Sequence, residues 1–140
     1  LGVERVRSSS DQHVFASGLS TPDAAVNVAA DFALQVVGEM EDLNRSHGLD
    51  VAYRAGISAG YVIAGLLEAD QLTYGVFGDP PRIALALAGV AGANQILIAD
   101  ETAAGLDGDV LKLQPAAGLV DLQGSELTAK MLLGSAAAAN

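Results

Sequence analysis

At 140 residues the chain is long enough for one domain and short for two. Seven Lys and Arg against seventeen Asp and Glu leave a formal charge of −10, which excludes the basic surface that nucleic-acid binding requires, and 51% hydrophobic residues exclude a disordered acidic segment. With no cysteine and only two histidines, His13 and His47, a disulfide scaffold, a thiolate metal site and a histidine-rich metal site are excluded as well.

The longest weakly polar run, Ile83 to Ala99, is interrupted by Gly89, Gly92, Asn94 and Gln95 and falls short of the roughly 20 apolar residues that cross a bilayer. No basic segment followed by an apolar one opens the chain, so no signal peptide is expected. The first residue is Leu1, and the sequence reads as a piece of a longer protein.

Val3 to Arg7 and His13 to Ser17 are predicted strands, joined by the polar turn Ser8-Ser9-Ser10-Asp11. Thr21 and Pro22 read as the N-cap and first position of a helix. Ala25, Val28, Ala29, Phe32, Val36, Met40 and Leu43 then mark its apolar face, and Gly48 is its left-handed stop. Val51 to Ser58 and Tyr61 to Leu67 suggest a second hairpin around Ala59-Gly60, followed by a strand over Leu72 to Phe77. Asp79 as N-cap and Pro80 at the first position open a helix that is apolar nearly all round, as a buried helix is. Gln95 to Ile98 is a short strand, Asp100-Glu101-Thr102 opens a short helix, and Val110–Leu113, Leu119–Leu122 and Leu127–Leu133 are the closing strands. Helices alternate with strands of one sheet, which places the chain in the α/β or α+β class. The run Ala136 to Ala139 is low-complexity, so the division is a domain over 1–134 and a flexible tail over 135–140.

Few residues suggest chemistry by themselves. Asp11 at a hairpin tip offers a carboxylate to a hard cation such as Mg²⁺, against the plainer reading of a turn aspartate. Gly56, Gly60 and Gly65 lie in extended structure, where clustered glycine points to close backbone approach; a bulged hairpin explains Gly60 better than the other two. No Lys-Ser or Lys-Thr follows, so this is not a phosphate loop. Arg82 in the first turn of its helix opposes the helix dipole unless an anion docks there, and the plainer reading leaves it in solvent. His13 is expected to be a partly buried structural residue and His47 to serve the last carbonyls of the first helix.

Taken in order, these segments resemble the class III adenylate and guanylate cyclase catalytic domain. The resemblance rests on Tyr53-Arg54-Ala55-Gly56-Ile57-Ser58-Ala59-Gly60 through Ala64-Gly65, then Tyr74-Gly75-Val76-Phe77-Gly78-Asp79 and an alanine-rich helix. Ala93 to Ile98 with Glu101-Thr102, and Val3 to Arg7 through Asp11 to Leu19, complete it over about residues 3 to 133. It implies an α+β fold, a ferredoxin-like sheet with helices on one face, and head-to-tail pairing of two domains. In such domains two aspartates hold two metal ions on a nucleoside triphosphate whose 3′ hydroxyl attacks the α-phosphorus.

Position by position, the resemblance implies a degenerate site. Asp11 matches the second metal aspartate, and the first belongs to a strand that would precede Leu1. Arg7 occupies the position of the base-selecting Lys, and Gly75 that of a base-reading side chain. Arg82 falls where the ribose-orienting Asn is expected, Ala86 where the transition-state Arg is expected, and Gln123 where a triphosphate-binding Lys is usual. Mg²⁺ or Mn²⁺ would be needed only if the domain is active. Loss of the central first strand would leave two rows of backbone groups unpaired, which predicts a homodimer, pairing with another cyclase domain, or strand exchange. The implied protein is a dimerising or regulatory module of a bacterial signalling protein, cytoplasmic or the cytoplasmic part of a membrane protein. An active cyclase that borrows residues from a partner chain and a sensor that binds ATP or GTP without turnover are the alternatives.

Overall fold

The computed structural model describes residues 3–9, 11–19, 25–68, 72–106, 111–120 and 126–135. Its elements in chain order are β1 (Val3–Ser8), β2 (His13–Ser17), α1 (Ala25–His47), β3 (Arg54–Ile57), β4 (Ile63–Glu68), β5 (Leu72–Phe77), α2 (Asp79–Val90), β6 (Gln95–Ala99), α3 (Asp100–Ala103), β7 (Leu111–Val120) and β8 (Glu126–Ser135). The class is α+β.

β1 and β2 form the expected antiparallel hairpin, with Val3 opposite Ser17 and Ser8 opposite His13 and an irregularity between Arg5 and Arg7. His13 is exposed rather than partly buried, and its Nδ1 lies 2.6 Å from the Ser8 hydroxyl across the hairpin. The expected start of α1 at Thr21 and Pro22 lies outside the described residues. At its other end Gly48 has φ +63°, the left-handed stop its position predicted. The closing turn is built by Asn44: its carbonyl accepts from the Leu49 N–H, and its side chain brackets Val51 in both directions. His47, expected to serve those carbonyls, is the exposed last residue of the helix.

The expected hairpin between β3 and β4 does not form. β3 instead pairs in parallel with β6, Arg54 to Gln95 through Ile57 to Ile98, while β4 pairs antiparallel with β5. Ala55 and Ile57 pack with α1, whereas a Cβ built on Gly56 would meet the Ala84 carbonyl oxygen of α2 at 2.1 Å. A strand covered on both faces pairs as a buried parallel strand, not as an arm alternating between core and water. The main sheet has the order β3-β6-β8-β7, and Ile96 and Ile98 face α1 while Leu97 faces α2. α1 and α3 therefore share one face, and α2 takes the other.

Two smaller differences follow from local chemistry. Gly78, not Asp79, is the N-cap of α2; Asp79 is already helical, with Pro80 and Pro81 after it. Proline is favoured there because its fixed φ suits the helix and its missing N–H would have had no partner. The strands expected over Val110–Leu113 and Leu119–Leu122 are one continuous strand, β7, with register irregularities at Lys112/Leu113 and between Ala116 and Leu119. β7 lies at the sheet edge, where Pro115 removes no needed donor.

α1 is the element that joins the halves. Ala30, Ala33, Leu34 and Val37 pack on the main sheet, while Phe32 meets Phe15 of β2 with ring centroids 4.8 Å apart. β2 and β3, the strands it connects, are not hydrogen-bonded to each other. Among the described residues each has one edge without a strand partner.

Candidate active site

The candidate residues divide between the β1–β2 hairpin and the β5–α2 corner. Arg7 is exposed on β1, opposite Val14, and β1 lies against β5. Gly75 sits on β5 opposite Gly65 of β4. β5 then turns at Gly78, whose φ of +133° is available only to glycine, directly into α2. Arg82 and Ala86 follow on α2 one helical turn apart, so both project from the same side of the helix. The fold thus brings Arg7, Gly75, Arg82 and Ala86 to neighbouring elements. Asp11 stands at the exposed hairpin tip, whose turn is closed by the Ser9 N–H and hydroxyl donating to the Gln12 carbonyl. Gln123 lies outside the described residues.

Arg82 has an acidic neighbour on its own helix. Its guanidinium is exposed and donates to Asp79 Oδ1 at 3.2 Å, an i,i+3 pair within the first turn. Asp79 is well placed at the positive helix end, and by pairing with Arg82 it offsets the unfavourable position of that cation. Ala86, half-buried, brings a methyl group and no donor.

The described residues gather no set of side chains that fits a divalent metal. Asp11 is one exposed carboxylate, and among the described residues no group of three or more His, Cys, Asp or Glu could hold a metal ion. Hard cations need several oxygen ligands converging on one point.

Residues given no role by sequence reasoning brace this region. The Ala59 N–H donates to the hydroxyl of buried Thr102 at 2.9 Å, fixing the segment that leaves β3 beside α2. Lys130 of β8 donates to Asp100 at 3.1 Å across the start of α3. Tyr53, before β3, has its phenol pushed above the ordinary value by burial and, secondarily, by Glu41 on α1. Lys130 and Asp100 lie 30 residues apart in sequence, and Ala59 and Thr102 lie 43 apart. No local pattern announces them.

Comparison with known proteins agrees with this arrangement. Residues 1–133 match the family model of the adenylate and guanylate cyclase catalytic domain. An adenylate cyclase of Mycobacterium tuberculosis is 31% identical over 101 residues, covering 71% of this chain and 23% of the relative, so the chain spans about a quarter of that protein's length. The guanylate cyclase domain of RhGC from Catenaria anguillulae, solved in complex with GTP, superposes with a TM-score of 0.84 at 20% identity, covering 96% of this chain and 74% of the other. The adenylyl cyclase CyaB from P. aeruginosa gives 0.82 at 24% identity, covering 96% and 73%. With the β1–β2 hairpin and the β5–α2 corner formed as expected and a family match over nearly the whole chain, the chain belongs to the class III adenylate and guanylate cyclase catalytic domain family.

Proposed function

We propose that this domain, over residues 1–134, has kept the cyclase scaffold without self-sufficient turnover and serves as a dimerising or regulatory module of a cytoplasmic bacterial signalling protein. The observation that carries this reading is the face of α2 bearing Arg82 and Ala86. Where the resemblance implies a ribose-orienting amide and a transition-state guanidinium, the helix offers a guanidinium already paired with Asp79, then a methyl group. Losing one preorganised donor of this kind costs about 100- to 1000-fold in rate. Arg7 keeps the charge of the lysine it replaces but not its shape, and Gly75 has no side chain to read a base.

Pairing with a second copy or with another cyclase domain follows from the family resemblance and is supported by the dimeric guanylyl cyclase domain of RhoGC from Blastocladiella emersonii, similar in fold with a TM-score of 0.75. No described helix is long and apolar enough to cross a membrane.

The test is incubation of the purified domain with ATP or GTP and Mn²⁺, followed by separation of cyclic product. The expected result is no product above a protein-free control. Product that disappears in Asp11→Ala would overturn the reading in favour of an active cyclase. Calorimetry with the same nucleotides separates a sensor, which gives a heat of binding, from a scaffold, which gives none. Sedimentation at micromolar concentration is expected to show a dimer, and a monomer would remove the pairing.

A further inference from the structure

The irregularity in β1 sorts the side chains of the hairpin in a way that their spacing in sequence does not show. Arg5 and Ser8 are three residues apart, and in an unbroken strand they would point to opposite faces. Here β1 advances two residues, Arg5 to Arg7, while β2 advances one, Phe15 to Val14, so Val6 is the extra residue of a bulge. Arg5 then stands opposite Phe15, and Ser8 opposite His13. Residues 13 and 15 share a face of β2, and residues directly opposite each other share a face of the pair. Arg5, Ser8 and His13 therefore stand on one side of the hairpin.

All three are exposed, and Ser8 Oγ and His13 Nδ1 are hydrogen-bonded at 2.6 Å. Arg45, Arg82 and Lys130 are each paired with an acid, whereas no ion pair among the described residues involves Arg5. Glu4, opposite Ala16, and Arg7, opposite Val14, belong to the other side of the hairpin. A hydroxyl flanked by a guanidinium and an imidazole is a setting in which a phosphate monoester gains charge-assisted hydrogen bonds.

We propose that Ser8 is a phosphorylation site whose phosphate is held by Arg5 and His13. The phosphoryl donor is ATP, brought by a separate serine kinase. The Ser8 oxygen forms the new O–P bond, the bond from the γ-phosphorus to the ADP oxygen breaks, and the hydroxyl proton passes to the base of the kinase. In the product the Nδ1–H of His13 and the guanidinium of Arg5 donate to phosphate oxygens, tying the bulged strand to its partner. Asp11, at the exposed tip, adds a repulsion that these two donors exceed. The inference holds whether or not the domain turns a nucleotide over.

The test compares the whole chain with Ser8 phosphorylated during synthesis against the unmodified chain. Phosphorylation is expected to raise the melting temperature by about 4 °C and to slow amide exchange across β1 and β2. Arg5→Gln and His13→Gln are each expected to leave the unmodified chain within about 2 °C of the parent and to remove most of the rise in the phosphorylated one. Incubation of the unmodified chain with ATP and a serine kinase that prefers arginine upstream of its acceptor is expected to place phosphate on Ser8, located by fragment mass spectrometry.

An unchanged or lower melting temperature on phosphorylation of Ser8 would overturn the proposal, as would a rise that survives both substitutions. Phosphate that enters at Ser9 or Ser10 and not at Ser8, or that does not enter at all, would overturn it as well. Inorganic phosphate that produces the same rise in the unmodified chain would do so too, by making this face a site for the free anion.

Discussion

α2 and α1 meet their strands in different ways. Against α2, β3 approaches so closely that Gly56 has no room for a methyl group: its Cβ would stand 2.8 Å from the Ala88 nitrogen and 2.9 Å from the Leu87 Cβ as well. Leu87 is fully buried there, beside Ala91, Leu97 and Ala129. Along α1 the packing is tight only toward the main sheet, and on the hairpin side Phe15 stays 43% exposed while Val36 and Leu43 reach solvent. The α2 seam is a finished interior, and the hairpin side of α1 is an interior with one wall open. Packing positions that hold the main sheet are filled by small and branched apolar residues that interlock.

The sharpest way to break that contrast is Gly56→Val. Its branched side chain would collide with α2 backbone, and we expect a loss of about 3 kcal/mol or more in chemical denaturation. A loss under about 1 kcal/mol would mean the seam can yield. Truncations on the two sides then compare directly. Leu87→Ala is expected to cost about 3 kcal/mol through the cavity it leaves. Phe15→Ala should cost only about 1 kcal/mol, because its ring keeps much of its water and loses chiefly the contact with Phe32. Equal losses would mean that the hairpin side is as well packed as the α2 side.

The Asp79–Arg82 pair is mostly exposed, so Asp79→Asn should change stability by less than about 0.5 kcal/mol. A thermal melt indistinguishable from the parent is the expected outcome, and a large loss would show that the α2 start depends on this pair. The smallest effect belongs to Tyr53. Its phenol titrates higher in the folded chain than in the unfolded one, so the folded state holds the proton more tightly. The stability linked to it is fully present below the ordinary tyrosine range and is lost as pH rises through that range. Tyr53→Phe should therefore flatten the alkaline decline, measured as denaturation midpoints between neutral pH and the tyrosine range, and should remove a phenolate that titrates above the ordinary range in absorbance.

Much of this was legible from local pattern. The run of apolar residues from Ala25 to Leu43, the stop at Gly48, the prolines at 80 and 81 and the alternation of the Val3–Ser17 hairpin each act over a few residues, and periodicity reads such interactions directly. What the chain's own letters left open was pairing. Whether β3 joins β4 through Gly60 or β6 across 41 residues depends on which neighbour covers both of its faces, and only the closeness of α2 to Gly56 decides that. The same holds for Thr102 with Ala59 and Lys130 with Asp100, whose partners are adjacent only after the chain has crossed over. Local sequence fixes which segments become helices and strands because those energies are short-ranged. Tertiary structure decides which strand edges meet and which side of α1 stays open, because those energies depend on contacts between segments far apart in the chain.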